Sequence, residues 1–268
     1  MDNRPIGVFD SGIGGLTVLK ELLKALPGED FIYFGDTGRV PYGGRSRETI
    51  LKYAKQDIRF LKTFDIKALL VACGTVSSYW NHIEEELDIP SVSVVRPSAR
   101  QAAGTTANNR IGVIGTVATI KSRLYEEVLK SFSPGLQIMS VACPLFVPLV
   151  ENGRIYPGDI VIETVAREYL EPLVSFGCDT LIMGCTHYPL LERVIAPILP
   201  GVKLINPGAE SAADLKRLLE AKDLLSDRKI GTVNYYISDD SGVFPRLGSL
   251  FLEQNIRDSV RKVEIEEY

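Results

Sequence analysis

The sequence predicts an α/β protein with mainly parallel sheets in two related halves, and three observations carry that expectation. Short apolar runs alternate with longer amphipathic segments along the whole chain, as strands and covering helices do. Two stretches repeat: FDIKALLVACGT at 64–75 and FGCDTLIMGCTH at 176–187 each place a phenylalanine nine residues before a cysteine across an apolar run, and IGVFDSG at 6–12 matches IGVIGTV at 111–117. Two apolar runs end at a proline, Val95-Arg96-Pro97 and Ile205-Asn206-Pro207, and read as domain crossings because proline restrains both itself and its predecessor. These crossings divide the chain into a discontinuous first domain, 1–96 plus 207–268, and a second, 97–206. Ordinary strand-to-loop turns fit the same prolines.

In chain order, strands are expected at Pro5–Asp10, Asp30–Gly35, Ala68–Cys73, Ser91–Val95, Arg110–Gly115, Leu136–Val141, Thr180–Gly184, Lys203–Ile205, Val233–Ser238 and Val260–Ile265. Each is a short apolar or β-branched run bounded by turn residues. Between them, Gly15–Leu26 reads as a helix because Leu16, Leu19, Leu22, Leu23 and Leu26 share one face at spacings of three and four. Glu48–Phe64 and Asp159–Phe176 have the same periodicity. His82, in YWNHIEEEL, reads as a helical surface histidine without a chemical role.

The chain's 268 residues, 45% hydrophobic and 24% charged, are too apolar for disorder and suffice for one large or two smaller domains. A net charge of -4 gives no global attraction to nucleic acid or to an anionic membrane surface. No apolar run of spanning or signal-peptide length is found, so a soluble, cytoplasmic protein is expected. Cysteines at 73, 143, 178 and 185 lack metal-site spacing, and free thiols are expected.

Ligands of open α/β sheets sit beyond the carboxyl ends of the strands. The polar residues there are Asp10-Ser11, Asp36-Thr37, Cys73-Gly74-Thr75, Thr116 and Cys185-Thr186-His187. The turn Asp10–Gly15 offers backbone N–H groups to an anion, although a tight turn capped by Asp10 or Ser11 fits it too. Its spacing is not the dinucleotide fingerprint. The polar loop Asp36–Ser46 suits a wall or lid, or a plain glycine-rich surface loop. Cys73 and Cys185 occupy matched positions in the repeat. Each is either a small buried hydrophobe or a nucleophile or proton carrier once its thiolate is stabilised, with Asp10 the candidate partner of Cys73 and His187 that of Cys185. Cys143 and Cys178 read as structural. Glu151 is either a solvated helix end or an acid facing a cleft.

In order and separation, IGVFDSGIGGLTVLKEL, YFGDTGRVPYG, VACGTVSS, IGVIGTVATIKS, CPLFVPLVE and MGCTHYPLL resemble the bacterial glutamate racemases across essentially the whole chain. The resemblance implies two related α/β domains with the active site in the cleft between them. It also implies interconversion of L- and D-glutamate for peptidoglycan synthesis without cofactor or metal. Carried over by position, Cys73 and Cys185 become the two proton carriers, with Asp10 orienting Cys73, His187 serving Cys185, and Glu151 as a further acid. Substrate-binding positions are then Asp10, Ser11, Tyr42, Gly43, Gly74, Thr75, Thr186 and His187, with Thr116 and Thr119 as weaker candidates. A homodimer is expected.

This chain departs from the family at Gly74, where the family usually has Asn, and at Gly38, where it often has Ala. The backbone N–H of Gly74 is expected to serve in place of the amide, and Asn to be tolerated there. The nearest alternatives are a racemase or isomerase of the same superfamily acting on aspartate or another small diacid, and a two-lobed protein that closes on an amino acid without chemistry.

Overall fold

The computed structural model describes residues 1–240, 242–252, 254–256 and 259–268. The chain first lays down β1 (Ile6–Asp10), α1 (Leu16–Ala25), β2 (Phe31–Gly35), α2 (Arg47–Lys62), β3 (Ala68–Val71), the single turn α3 (Gly74–Ser77) and β4 (Ser91–Ser93). Next come α4 (Val95–Thr105), β5 (Arg110–Gly115), α5 (Val117–Ser122), α6 (Leu124–Phe132), β6 (Gln137–Ala142), α7 (Phe146–Glu151), α8 (Ile160–Phe176), β7 (Thr180–Met183), α9 (Glu192–Ile195) and β8 (Lys203–Ile205). The last elements are α10 (Pro207–Ala221), β9 (Val233–Ile237), α11 (Val243–Leu252) and β10 (Val260–Lys262).

Two parallel sheets result, ordered β10-β9-β2-β1-β3-β4 and β6-β5-β7-β8. The second repeats the order β2-β1-β3-β4 of the first, strand for strand, so the sequence repeat is a repeat of topology. In register, Ile6 of β1 lies between Phe31 and Ala68, as Ile111 of β5 lies between Ile138 and Thr180. Strands β1, β2, β3 and β7 are buried at every position, which is why they read as unbroken apolar runs rather than alternating ones. In α1 the leucine stripe turns inward: Leu16, Leu19 and Leu22 are buried, and the helix packs on α10.

Three local expectations are corrected. The strand expected to reach Val95 stops at Ser93, and Val95-Arg96-Pro97 opens α4 instead. Proline is tolerated there because first-turn N–H groups have no intrahelical partner. The last strand ends at Lys262 rather than Ile265, and Ile265 starts a 3₁₀ turn. His82 closes a short 3₁₀ turn, Trp80–His82, rather than sitting on an α-helix. Asn206-Pro207, by contrast, is a helix start of standard design: the Asn206 side chain accepts from Gly208 N–H and Pro207 takes the first helical position.

Candidate active site

The carboxyl ends of β1, β3, β5 and β7 face a common cavity of about 410 Å³, a size suited to a small ligand. From the first sheet it receives Ser11, Tyr42, Gly43, Cys73, Gly74 and Thr75. From the second come Thr116, Glu151, Cys185, Thr186 and His187. The two thiols therefore enter one space from opposite sheets, each two residues beyond its strand.

Their surroundings differ. The Cys73 thiol donates to Ser11 Oγ at 3.4 Å. Burial, then the neighbouring charge of Asp10, pushes its pKa up to about 12 against the opposing hydrogen bonds, so Cys73 rests as a thiol. Cys185 Sγ lies 3.8 Å from His187 Nδ1, and His187 Nε2 lies 3.1 Å from Glu151 Oε1. Burial works against charge on this imidazole, but the contacts with Cys185 and Glu151 outweigh it and raise its pKa to about 10. At neutral pH Cys185 thus has an imidazolium partner. One wall carries a protonated thiol, the other a sulfur beside a charged imidazole.

Asp10 does not line the cavity. It lies fully buried behind the wall, where one oxygen accepts from Gly12 N–H at 3.0 Å and the other from Thr186 Oγ at 3.4 Å. Its carboxyl is raised by burial, and the charge of His187 opposes that rise. It thus ties β1 to the Cys185 loop, and its charge reaches Cys73 from behind the cavity wall. Thr119 is also held back from the cavity. Its hydroxyl lies 3.0 Å from Thr116 Oγ, which in turn lies 3.0 Å from Thr75 Oγ, so a chain of hydroxyls joins the two walls.

Tyr42 lines the cavity, but its hydroxyl is directed away, to Asp36 and Asp57. The residue therefore presents backbone and ring to a ligand, not an oxygen donor. Cys143, read from sequence as structural, also lines the cavity, together with Pro144, Val147 and Pro148. In CPLFVPLVE Pro144 precedes α7 and Pro148 falls in its first turn, but nothing local says that this helix start closes the cleft.

The expectation that Asn is tolerated at 74 meets a tight backbone contact. A Cβ on Gly74 would fall within 3.0 Å of the Gly184 carbonyl oxygen, on the backbone of the opposite wall. Gly14 has the same role: a Cβ there would strike Thr186 Oγ and the His187 ring. Both glycines let backbone from the first sheet press against the Cys185 loop. Among the described residues no group of three or more His, Cys, Asp or Glu side chains is arranged to hold a metal ion, and no helix is long and apolar enough to cross a membrane.

The Asp/Glu/hydantoin racemase family model matches residues 6–215. A glutamate racemase of Thermoanaerobacter pseudethanolicus is 44% identical over 269 residues, covering 100% of both chains. Among solved structures, glutamate racemase isoform RacE1 from Bacillus anthracis superposes with a TM-score of 0.94 at 38% identity over 98% of each chain. The Francisella tularensis glutamate racemase in complex with D-glutamate gives 0.93 at 38% identity over 100% of each.

Proposed function

The chain belongs to the Asp/Glu/hydantoin racemase family, and from that premise we propose that it interconverts L- and D-glutamate by moving a proton at Cα between Cys185 and Cys73. The observation that carries the reading is the pair of thiols entering one cavity from opposite sheets. Inverting a stereocentre by proton transfer requires removal on one face and delivery on the other. The Cys185 thiolate takes the Cα proton while its electron pair stays on carbon, delocalised toward the substrate carboxylate. The Cys73 thiol then gives its proton to the opposite face, leaving a thiolate at Cys73 and a thiol at Cys185. For the reverse direction the roles exchange.

The carbon acid is far weaker than a thiol, so the carbanionic transition state needs donors already in place. The hydroxyls of Ser11 and Thr75 and the backbone N–H groups of Gly43 and Gly74 are the donors proposed to receive the substrate, with Thr186 lining the cavity beside them while its hydroxyl is held by Asp10, and none of these requires a cofactor. Asp10, His187 and Glu151 set the charge around the thiols. The two domains are assigned to 1–96 plus 207–268 and to 97–206. D-Glutamate made in the cytoplasm would supply peptidoglycan, and the working unit is taken to be a homodimer.

The test is a time course in D₂O with L-glutamate as substrate and no pyridoxal phosphate or metal added. D-Glutamate should appear carrying deuterium at Cα, while the remaining L-glutamate keeps its proton early in the reaction. Return of the original proton to the product would point to a single base, and an unchanged optical rotation and Cα signal to a binding protein. Aspartate and other small diacids run alongside separate the neighbouring activities of the family.

A further inference from the structure

The loop after β2 enters the protein through a buried cluster of charges that the proton relay does not use. Arg39 Nε–H donates to Asp36 Oδ2 at 2.6 Å, one Nη–H to Asp57 Oδ1 at 2.8 Å and the other to Gln56 Oε1 at 2.6 Å. The carboxylates of Asp36 and Asp57 have 0% exposure and the Arg39 side chain 9%. The guanidinium also stacks 4.2 Å above the Tyr53 ring of α2. From the far side, Ser238 Oγ donates to Asp36 Oδ1 at 2.7 Å and accepts from Gly38 N–H at 2.8 Å, so the end of β9 joins the same cluster.

Tyr42 plugs into this cluster. Its hydroxyl contacts Asp36 and lies 3.1 Å from Asp57 Oδ2, while its neighbours Val40, Pro41, Gly43 and Gly44 line the cavity. Gly43 reaches the opposite domain: a Cβ there would fall within 3.0 Å of the Thr116 side chain. A wall of the cavity that spans both domains therefore hangs from one phenol and one guanidinium. A phenol has a single proton, so its contacts with two carboxyls require a proton on one of them. Burial, then the charge of Asp36, raises Asp57 well above the usual carboxylate range. At the exposed rim of the cluster Glu266 Oε1 also lies 3.5 Å from an Arg39 Nη.

We propose that Arg39 and Asp57 are positioning residues that hold the 40–44 turn against the cavity by clamping Tyr42 to α2, and so set the affinity for the amino-acid substrate. The inference rests on the racemase reading, and it asks nothing of either thiol. The turn grips the substrate in the ground state as well as in the transition state, so its loosening weakens binding and appears chiefly in KM, with a smaller loss in kcat.

The experiment measures kcat, KM and Tm of the full chain with L-glutamate, beginning with the wild type. If the wild type does not racemise glutamate, the functional reading fails before the clamp is tested. Arg39→Lys, which keeps the charge but loses the planar fork, should raise KM about tenfold with kcat within about threefold. Asp57→Leu should do the same, and Asp57→Asn, which keeps an acceptor for Arg39 and a donor for Tyr42, should recover most of the loss. Tyr42→Phe reads the same quantity should either of the first two fail to fold. KM values within twofold of wild type in the folded variants, with losses only in Tm or in active fraction, would reduce the cluster to a stabilising element and overturn the proposal.

Discussion

Replacing Gly74 by alanine adds one methyl group at the point where the two halves of the active site touch. The new Cβ would fall within 3.0 Å of the Gly184 carbonyl oxygen, with Cys185 Cα 3.6 Å away. The obstacle is backbone on both sides, so no side chain can rotate to make room, and the walls must part by about 1 Å to restore ordinary contact. Because Cys73 precedes Gly74 and Cys185 follows Gly184, that separation widens the thiol-to-thiol span directly. A misplacement of about 1 Å at a reacting centre costs on the order of 10²-fold in rate. Gly74→Ala should therefore lower kcat by about that factor with a smaller change in KM, followed by circular dichroism on L-glutamate and on D-glutamate. Gly74→Asn brings an amide that lowers KM relative to alanine, yet kcat stays depressed because its Cβ sits in the same place. A kcat for Gly74→Ala within twofold of wild type would refute the argument. A large fall in Tm with full activity in the folded fraction would also refute it, since the contact would then serve the fold rather than the spacing of the thiols.

Cys73→Ala and Cys185→Ala should each abolish racemisation in both directions with an unchanged circular dichroism spectrum, whereas Cys143→Ala, on the same wall but outside the relay, should keep turnover within about tenfold. The His187 proton couples folding to pH. With the folded pKa raised from the ordinary 6.5 to about 10, its stabilisation is complete below pH 6.5, declines between 6.5 and 10 as only the unfolded state releases the proton, and is lost above 10. The Tm of the wild type should fall across that window, and Glu151→Gln, which removes one of the two groups raising His187, should flatten the fall. Equal slopes for the two proteins would show that Glu151 does not act on His187.

Much of the scaffold was legible because parallel strands buried on both faces, here β1, β2, β3 and β7, must be written as apolar runs, while the more exposed β6 and β10 were legible only as short runs between turn residues. One boundary failed where a proline carries two meanings. Val-Arg-Pro reads as the end of a strand, but the same three residues can fill a first helical turn, and only the packing of α4 decides between them. The two thiols were found because each follows a strand in a repeated frame. Which groups stand in front of them was not legible. Asp10 sits at the end of β1 like any ligand-facing carboxylate, and only the fold shows that Gly12 and Thr186 occupy its oxygens on the far side of the wall. Asp57 is less visible still, since a lone aspartate on an amphipathic helix such as α2 reads as solvated until Arg39 and Tyr42 arrive from the preceding loop. Cys143, the first residue past β6, reached the cavity because β6 pairs with β5 and so ends beside Thr116, a pairing that a lone Cys-Pro does not announce.

The strand order of the larger sheet carries a consequence for synthesis on the ribosome. Strand β2 is complete at residue 35, yet one of its two neighbours, β9, is made only after residue 233, when the whole four-stranded sheet has already been translated. At about 5–20 residues per second, the outer edge of β2 waits roughly 10–40 s for its partner. Through that interval the nascent chain presents an apolar, unpaired strand, FIYFG, of the kind that recruits other chains. The smaller sheet, continuous in sequence, has no such wait, so the half that carries Cys185 can fold while the half that carries Cys73 is still open at one side.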